Sequence, residues 1–219
     1  MPFSLLPRTI LETKSPISGE IKIVEQLGKY RLHVGEMLQS GGILEGIWRR
    51  ALRQVSTPSS TRGAQGKLSV SNCLVLGLGG GTVVQLIKAR YPEAKIVSVE
   101  IDPEIIKISK KFFGLSKIEN LKIVNADAIK WVANYDISYH RSRFDLILVD
   151  LYIGRQLSPK VESNEFLKNL KKLLSKDGMV VFNQLKNKDG GKLKQSLTTT
   201  FPQVEALDLK TNLFLICRP

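Results

Sequence analysis

From Asn72 onward, short apolar runs alternate with segments of helical spacing, and this alternation restricts the fold more than any other feature of the chain. The first five predicted strands carry continuous apolar runs, as strands covered on both faces of a sheet do. Because helical segments connect them, we expect parallel pairing with right-handed crossovers. The pattern predicts strands at 73–77, 95–100, 121–125, 144–150, 178–184, 203–208 and 212–217. It predicts helices near 82–91, 103–113, 127–134, 162–175 and 190–200.

The last two predicted strands have no helical segment between them. A short turn at Lys210, Thr211 and Asn212 separates them, so they should pair antiparallel. The expected fold is therefore α/β, with a doubly wound, Rossmann-like sheet of seven strands whose last strand is antiparallel.

The chain before Asn72 has a different character. Residues 21–34 alternate apolar and polar side chains around a break at 27–29, which predicts a β-hairpin. Apolar residues at helical spacing follow over 43–52, and the stretch 56–67 is rich in Ser, Thr, Gly and Pro. We therefore expect a small N-terminal region with a hairpin and a helix over 1–55, a linker over 56–71 and a nucleoside-binding α/β domain over 72–219.

The net charge limits the classes of partner. Lys and Arg number 33 against 20 Asp and Glu, a formal net charge of +13. Basic chains can bind nucleic acid, but these lysines are spread over several predicted helices, which favours a solvated basic surface. No apolar run reaches membrane-spanning length and the N-terminus does not have the layout of a secretory signal, so we expect a cytoplasmic protein with no membrane partner.

Cysteine and histidine give no reason to expect a metal centre. Cys73 and Cys217 lie in apolar, strand-like runs and are predicted to be buried thiols. His33 and His140 are far apart and have no Cys or acid at ligand spacing. Neither metal catalysis nor a Ser-His-Asp arrangement is therefore expected.

A glycine-rich loop follows the first predicted strand. Gly77, Gly79 and Gly81 form a G-x-G-x-G pattern there, at the place where doubly wound sheets bind ligands. Glycines allow a sharp turn and let a ligand approach the backbone. No P-loop lysine follows, so a triphosphate is not expected, and the reversed terminal hairpin favours a single nucleoside over a dinucleotide.

Acidic residues stand at the ends of the next three strands. Glu100 ends the second strand, where a carboxylate can accept hydrogen bonds from both ribose hydroxyls, whereas Asp102 before Pro103 is predicted to cap a helix. Asp127 after the third strand can accept from an adenine amino group, cap the following helix, or do both. Asp150 ends the fourth strand with no capping role in view, so a functional role is favoured.

In order and spacing, four segments resemble the spermidine synthases, which are aminopropyltransferases on the class I S-adenosylmethionine-dependent methyltransferase fold. The segments are CLVLGLGGGT from Cys73, VSVEIDPEIIKISKKFF from Val97, VNADAIKWV from Val124, and the run from Phe144 to Asn183. The resemblance covers roughly residues 18–217.

The resemblance implies a donor with an adenosyl-sulfonium group, either S-adenosylmethionine or its decarboxylated form, and no metal. GEMLQSGG, from Gly35, resembles the segment that carries the family's donor-contacting glutamine. It also implies a small-molecule acceptor and a homodimer formed through the N-terminal hairpin. The expected donor site consists of Gln39, Gly77, Gly79, Gly80, Gly81, Glu100, Ile101, Asp127, Ala128 and Asp150.

The chain departs from the family's pattern where the polyamine and the aminopropyl group would bind. The family has an aspartate at the position of Gly80, and its D-x-x-D motif corresponds to the run from Asp150 to Ile153, which lacks the second acid. Its D-E-x-x-Y-x-E segment corresponds to Leu44–Arg50, which keeps one acid and has Arg50 in place of another. A diamine is a dication that needs several carboxylates to replace its water, so these changes should weaken such a site.

Three hypotheses follow. The first is methyl transfer from S-adenosylmethionine, with Asp150 as the base and Tyr152 as an orienting hydroxyl or an aromatic lid. The second is aminopropyl transfer, which would require further carboxylates to face Asp150, from Glu45 or Glu162. The third is a non-catalytic nucleoside-binding or RNA-associated protein, which a continuous basic surface would favour. The candidate residues for that surface are 140–143, Arg49, Arg50 and Arg53.

Overall fold

The computed structural model of the protein contains a four-stranded and a seven-stranded sheet, and it describes residues 5–55, 70–140, 142–153, 156–186, 191–209 and 211–219. The strands, in chain order, are β1 (Arg8–Ser15), β2 (Gly19–Gln26), β3 (Lys29–Val34), β4 (Met37–Ser40), β5 (Asn72–Leu76), β6 (Lys95–Glu100), β7 (Leu121–Asn125), β8 (Phe144–Val149), β9 (Tyr152–Ile153), β10 (Gln156–Leu157), β11 (Leu174–Leu185), β12 (Gln203–Leu209) and β13 (Asn212–Arg218). The helices are α1 (Ile43–Val55), α2 (Thr82–Arg90), α3 (Pro103–Phe112), α4 (Ala128–Ala133), α5 (Ile137–His140), α6 (Asn164–Leu173) and α7 (Gly191–Thr200). Most of the predicted linker 56–71 lies outside the described residues, as does Lys210 of the predicted turn.

The seven-stranded sheet has the order β12-β13-β11-β8-β5-β6-β7. The neighbours among β11, β8, β5, β6 and β7 are parallel, and β13 is antiparallel to both β11 and β12. The predicted doubly wound sheet with a reversed last strand is therefore confirmed. Because the parallel strands all end at one edge, the residues that follow them are brought together there.

The N-terminal part is a larger sheet than the sequence predicted. The predicted hairpin is confirmed, since β2 and β3 pair antiparallel from Ile21 with Val34 to Gln26 with Lys29. Strands β1 and β4 flank it and complete a four-stranded antiparallel sheet. Strand β1 escaped prediction because it is an edge strand whose exposure does not alternate cleanly along the chain.

Two apolar cores cover the faces of the large sheet. On one face, α1 and α2 pack on the sheet, and the ring of Trp48 meets Phe214 edge-on with centroids 4.9 Å apart. On the other face, α4, α6 and α7 cover the sheet. Cys73 and Cys217 are buried free thiols, as predicted. In the described part of the chain, no helix is long and apolar enough to span a membrane.

Helix α6 is shorter than the predicted helix 162–175 because both of its ends are fixed by specific contacts. Ser163 caps its first turn by accepting a hydrogen bond from the Phe166 amide at 3.3 Å. Its last turn gives way to β11, whose first residue Leu174 pairs with Phe144 of β8.

The cap of α6 gives a first testable prediction. Ser163→Ala is expected to lower the free energy of unfolding by about 1 kcal/mol, because the Phe166 amide loses its side-chain acceptor. Urea denaturation followed by circular dichroism measures the change. Ser116→Ala is the matched control, since this serine is exposed and its hydroxyl donates a long bond of 3.5 Å to Lys110 O instead of accepting from a backbone amide, and its loss should cost less than half as much.

Candidate active site

A cavity of about 220 Å³ lies at the carboxyl ends of β5, β6 and β8. One water needs roughly 10–15 Å³ in this measure, so the cavity can hold a ligand of many atoms. The small sheet contributes Leu32 and Val34 to its wall, and α1 contributes Leu44 and Trp48. The predicted site residues in its wall are Gln39, Gly77, Gly79, Glu100, Ile101, Asp127, Ala128, Asp150 and Tyr152.

Gly77 allows the ends of β5 and β8 to approach each other closely. Its φ is +94°, and a Cβ placed on it would lie 2.2 Å from the carbonyl oxygen of Asp150. Backbone bonds hold the strands in this arrangement, because the Gly77 amide donates to Val99 O at 2.9 Å and the Asp150 amide donates to Leu76 O at 2.8 Å. No residue with a side chain fits this position without moving Asp150.

Gly80 and Gly81 are predicted donor-site residues that the structure places away from the cavity wall. The Gly80 amide donates to Ser40 Oγ at 2.6 Å, and a Cβ on Gly80 would lie 2.7 Å from Ser40 Cβ. A Cβ on Gly81 would lie 2.5 Å from Leu115 Cδ1. The end of the small sheet thus holds the glycine loop and occupies the space that an acid at position 80 would need.

Glu100 supports the same loop with both of its carboxylate oxygens. Oε2 accepts from the amides of Leu78 at 3.0 Å and Gly79 at 3.3 Å, and Oε1 accepts from the Asp102 amide at 3.0 Å. Burial raises the pKa of Glu100, although these three amides oppose the rise. A carboxylate has about four acceptor sites, so Oε1 keeps room for one ribose hydroxyl. A second hydroxyl would have to replace the long contact with Gly79.

Asp102 and Asp127 cap the helices that follow β6 and β7. Asp102 is fully buried and accepts from the Glu104 amide at 2.9 Å. Asp127 accepts from the Ile129 amide at 2.8 Å and also lines the cavity. Both predicted caps are confirmed, and Asp102 is not part of the cavity wall, which agrees with the choice of Glu100 as the predicted ribose ligand.

Asp150 has a partner that sequence reasoning missed. Asn183 Nδ2 donates to Asp150 Oδ1 at 2.8 Å. Burial raises the pKa of Asp150 to about 6, the Asn183 amide opposes this rise, and the nearby charge of Glu100 adds to it. The signal in the sequence was a polar residue at the end of the apolar run of β11, one position past Phe182, which pairs with Val149.

Tyr152 has its ring in the cavity wall and its hydroxyl bonded to the backbone of β11. The hydroxyl accepts from the Leu185 amide at 2.7 Å and donates to Asn183 O at 3.3 Å. Burial raises the pKa of Tyr152 to about 12, so the phenol is neutral. Of the two roles expected for this residue, these contacts favour the aromatic wall over the orienting hydroxyl.

Among the described residues, the cavity wall carries one cation besides the carboxylates of Glu100, Asp127 and Asp150. Lys160 lines the wall, whereas Glu45 and Glu162 do not. Glu45 instead forms an exposed ion pair with Arg49 at 2.6 Å on the outer side of α1. Arg50 is also exposed and outside the wall, so it does not put a positive charge into the cavity.

The arginines of the predicted basic surface fall in two places. Arg49 and Arg53 line a shallow groove with Arg90 between α1 and α2. Arg143 donates to the carbonyls of Lys172 and Leu174 at the end of α6. Arg141 lies outside the described residues.

The chemistry of the cavity suits an adenosyl-sulfonium donor. Glu100 and Asp127 place carboxylates at neighbouring strand ends beside the apolar side chains of Ile101 and Ile129, which suits ribose hydroxyls and a flat base. Asp150 adds a third carboxylate, which favours a positive charge nearby. No group of three His, Cys, Asp or Glu side chains within the described ranges is placed to hold a metal ion.

Comparisons with known proteins give two kinds of relative. A curated relative, the polyamine aminopropyltransferase of Vibrio vulnificus, is 32% identical over 110 residues, which are 50% of this chain and 36% of the relative. The eEF1A lysine and N-terminal methyltransferase of Bos taurus is 29% identical over 157 residues, 66% of this chain and 22% of that protein. The matches therefore span about a third or less of the length of these relatives.

Similar solved structures also include a spermidine synthase and a methyltransferase-like protein. The spermidine synthase of Thermotoga maritima superposes with a TM-score of 0.72 over 96% of this chain and 72% of its own, at 16% identity, and shares the fold. Human methyltransferase-like protein 13, in complex with SAH, has a TM-score of 0.59 and 26% identity over 67% of this chain and 71% of its own. Residues 64–210 match the family model of the spermine/spermidine synthase domain. The chain belongs to the spermine/spermidine synthase family.

Proposed function

We propose that the protein is a methyltransferase that uses S-adenosylmethionine as its donor. Its family contains aminopropyltransferases, and its relatives include methyltransferases, so a donor with an adenosyl-sulfonium group is common to both. Human methyltransferase-like protein 13 was solved with SAH, which is what remains of S-adenosylmethionine after the methyl group leaves. The choice between the two reactions depends on the acceptor end of the cavity.

The acceptor end of the cavity is the main support for methyl transfer, because it has few carboxylates to bind a dication. Glu100 and Asp127 accept backbone amides and are assigned here to the adenosine part of the donor, which leaves Asp150 as the carboxylate for the proposed reaction centre. Lys160 is in the same wall, and Ser40 fills the space beside Gly80 where an acid would hold an aminopropyl ammonium. Placing a diamine here would leave at least one buried ammonium unpaired, at a cost of about 3–5 kcal/mol.

Each residue has a simple task in the proposed mechanism. The donor supplies an activated methyl group, which a nucleophile attacks at carbon as the bond to sulfur breaks. Glu100 and Asp127 bind the adenosine part, and the Gly77 loop brings the backbone close to it. Asp150 accepts the proton that the nucleophile loses. The walls formed by Trp48 and Tyr152 exclude water from the line of attack.

The acceptor is proposed to be a small molecule or an extended protein side chain with one reacting group. The relatives named as eEF1A methyltransferases favour including protein lysines in the search. A lysine must lose a proton before it attacks, which is the step assigned to Asp150.

The decisive experiment compares the two donors. Calorimetric titration with S-adenosylmethionine and with its decarboxylated form should show tighter binding of the former. The protein is then incubated with a lysate of the source organism and with S-adenosylmethionine that carries tritium in its methyl group. Tritium should appear in a fraction of that lysate. Preference for the decarboxylated donor would overturn methyl transfer, and binding of neither would overturn any transferase function.

Aminopropyl transfer is the second candidate, favoured by the family model and by the relative from Vibrio vulnificus. Incubation with decarboxylated S-adenosylmethionine and putrescine tests it directly. Formation of spermidine at a rate above that of methyl transfer would establish it in place of the first proposal.

Glu100→Gln is expected to weaken the binding of S-adenosylmethionine by at least about tenfold, because the NH₂ group that replaces one carboxylate oxygen can accept neither from a ribose hydroxyl nor from the backbone amide that this oxygen binds. Isothermal calorimetry measures the dissociation constant. Glu104→Gln on α3 is the matched control, since this acid pairs with Lys107 outside the cavity wall and its variant should bind like the unmodified protein. Equal weakening in both variants would contradict the role of Glu100.

The rate of methyl transfer is expected to rise with pH through about 6 and to level off above about 7. Burial raises the pKa of Asp150 to about 6, and the protonated carboxyl present below that pH cannot accept a proton. Initial rates between about pH 5 and pH 8 measure the profile. A rate that falls over this range would exclude Asp150 as the base.

A further inference from the structure

A chain of hydrogen bonds leads from the surface to Asp150. Thr211 Oγ1 donates to Asn212 Oδ1, Asn212 Nδ2 donates to Asn183 Oδ1, and Asn183 Nδ2 donates to Asp150 Oδ1. Each of these three bonds is 2.8 Å long. Asn183 and Asn212 are 6% and 2% exposed, so neither amide exchanges these partners for bulk water.

The carboxylate at the end of the chain sets the direction of every bond in it. An ionised carboxylate only accepts, so Asn183 must turn its Nδ2 toward Asp150 and its Oδ1 toward Asn212. Asn212 must then donate with Nδ2, and its own Oδ1 accepts from the Thr211 hydroxyl. The amides therefore have one orientation that satisfies all of them.

The backbone around Asn183 is also held by hydrogen bonds. The Tyr152 hydroxyl donates to Asn183 O and accepts from the Leu185 amide, so it brackets this end of β11. Asn212 reaches the site only because β13 runs antiparallel to its neighbours, which puts its first residue opposite Leu185 at the edge where the parallel strands end. The reversed strand thus brings a buried amide to the cavity edge of the sheet.

We propose that Asn183, held by Asn212, is a positioning residue. Its hydrogen bond to Oδ1 fixes the orientation of the Asp150 carboxylate, so that the other oxygen, Oδ2, receives the proton of the acceptor. This rests on the proposed role of Asp150 in methyl transfer. Oδ2 has no hydrogen bond from any residue that the structure describes, whereas Oδ1 has one. The acceptor therefore approaches from the side of Oδ2.

The charged and titratable groups around Asp150 act in different ways. The negative charge of Glu100 opposes ionisation of Asp150, and Tyr152 is a neutral phenol. Asp127 and Lys160 line the same cavity wall. Within the described part of the chain, Asn183 alone hydrogen-bonds to the Asp150 carboxylate, and such a bond favours the ionised form.

The test measures the titration of Asp150 directly and needs no acceptor. The protein is labelled with ¹³C at the aspartate carboxyl carbons, and the signal of Asp150 is assigned from its absence in Asp150→Asn. In Asn183→Leu the titration midpoint should move upward by about one pH unit, because a hydrogen bond to the charged form is lost. Asn212→Leu, which does not touch Asp150, should move it in the same direction by less.

Gln184→Leu is the matched control. Gln184 is the next residue on β11, is equally buried and is not in the cavity wall, so its variant should leave the midpoint unchanged. An unmoved midpoint in both asparagine variants, or an equal shift in the control, would overturn the proposal. If Asn183→Leu does not fold, the titration midpoint of Asp150 in Asn212→Leu tests the proposal, and an unmoved midpoint there would overturn it. Failure of S-adenosylmethionine to bind would overturn the proposed function but would leave these shifts as evidence for the positioning.

Discussion

Replacement of Asp150 with asparagine is expected to lower the rate of methyl transfer about 10²–10⁴-fold, the usual contribution of a positioned acid or base. Asparagine has nearly the same shape, and its carbonyl oxygen can still accept from Asn183, so the fold and the donor site should persist. It cannot take up a proton near neutral pH. Transfer of tritium from methyl-labelled S-adenosylmethionine, at saturating donor, measures the rate.

The expected loss in turnover must exceed any loss in donor binding. Because the carboxylate of Asp150 also favours the positive charge of the donor, calorimetry should give Asp150→Asn an affinity for S-adenosylmethionine that is weaker by no more than about tenfold, or about 1.4 kcal/mol. Asp208→Asn serves as a control for the removal of an acid, since Asp208 lies on β12, is exposed and forms an ion pair with Lys186. If Asp150→Asn keeps more than about a tenth of the activity, the proton goes elsewhere and Asp150 only shapes the cavity.

Much of the candidate donor site could be predicted because it depends on the topology of the sheet. Once the sequence predicts parallel strands, Glu100, Asp127 and Asp150 must meet at one edge, whatever the details of packing. The glycine loop is also a local feature, since its turn and its neighbouring strand lie within a dozen residues of each other. The structure places these groups in the wall of one cavity, as this reasoning requires.

The features that escaped prediction join residues far apart in the chain. Ser40 bonds to the Gly80 amide across 40 positions, and this contact depends on how the small sheet meets the glycine loop. Asn183 bonds to Asp150 across 33 positions, because the register of β8 and β11 sets their residues side by side. A sequence can show that a polar residue ends a strand, but side-chain partners of this kind follow from register and packing.

Arg50 also shows that sequence alone does not determine which side chains line the cavity. The resemblance put this cation at the place of an acid in the family's D-E-x-x-Y-x-E segment, yet the structure leaves its side chain exposed and outside the cavity wall. Of the residues that the structure describes, the cation that lines the wall is Lys160, in the short 3₁₀ helix Pro159–Glu162 after β10. Both positions carry positive charge, so the expected weakening of a polyamine site persists while the residue responsible for it changes.

Gly77→Ala is expected to lower the free energy of unfolding by about 2–5 kcal/mol and to abolish measurable binding of S-adenosylmethionine. A residue with a Cβ pays about 1–2 kcal/mol for the left-handed backbone at φ +94°, and overpacking adds about 1–3 kcal/mol. The overlap cannot be relieved by a side-chain rotation, because the new methyl group would meet the carbonyl oxygen of Asp150 at 2.2 Å. Urea denaturation and calorimetry measure the two effects.

Gly114→Ala separates the two causes. Gly114 also has a left-handed backbone, with φ +68°, but a Cβ there would have no atom within 4 Å. This variant should therefore show only the backbone cost, about 1–2 kcal/mol, and should bind the donor normally. A larger loss at Gly77 would mean that the close approach of β5 and β8 is a rigid part of the donor site. Equal losses at the two glycines would mean that Asp150 can move away from the loop, and a base so loosely held could not account for the activity assigned to it.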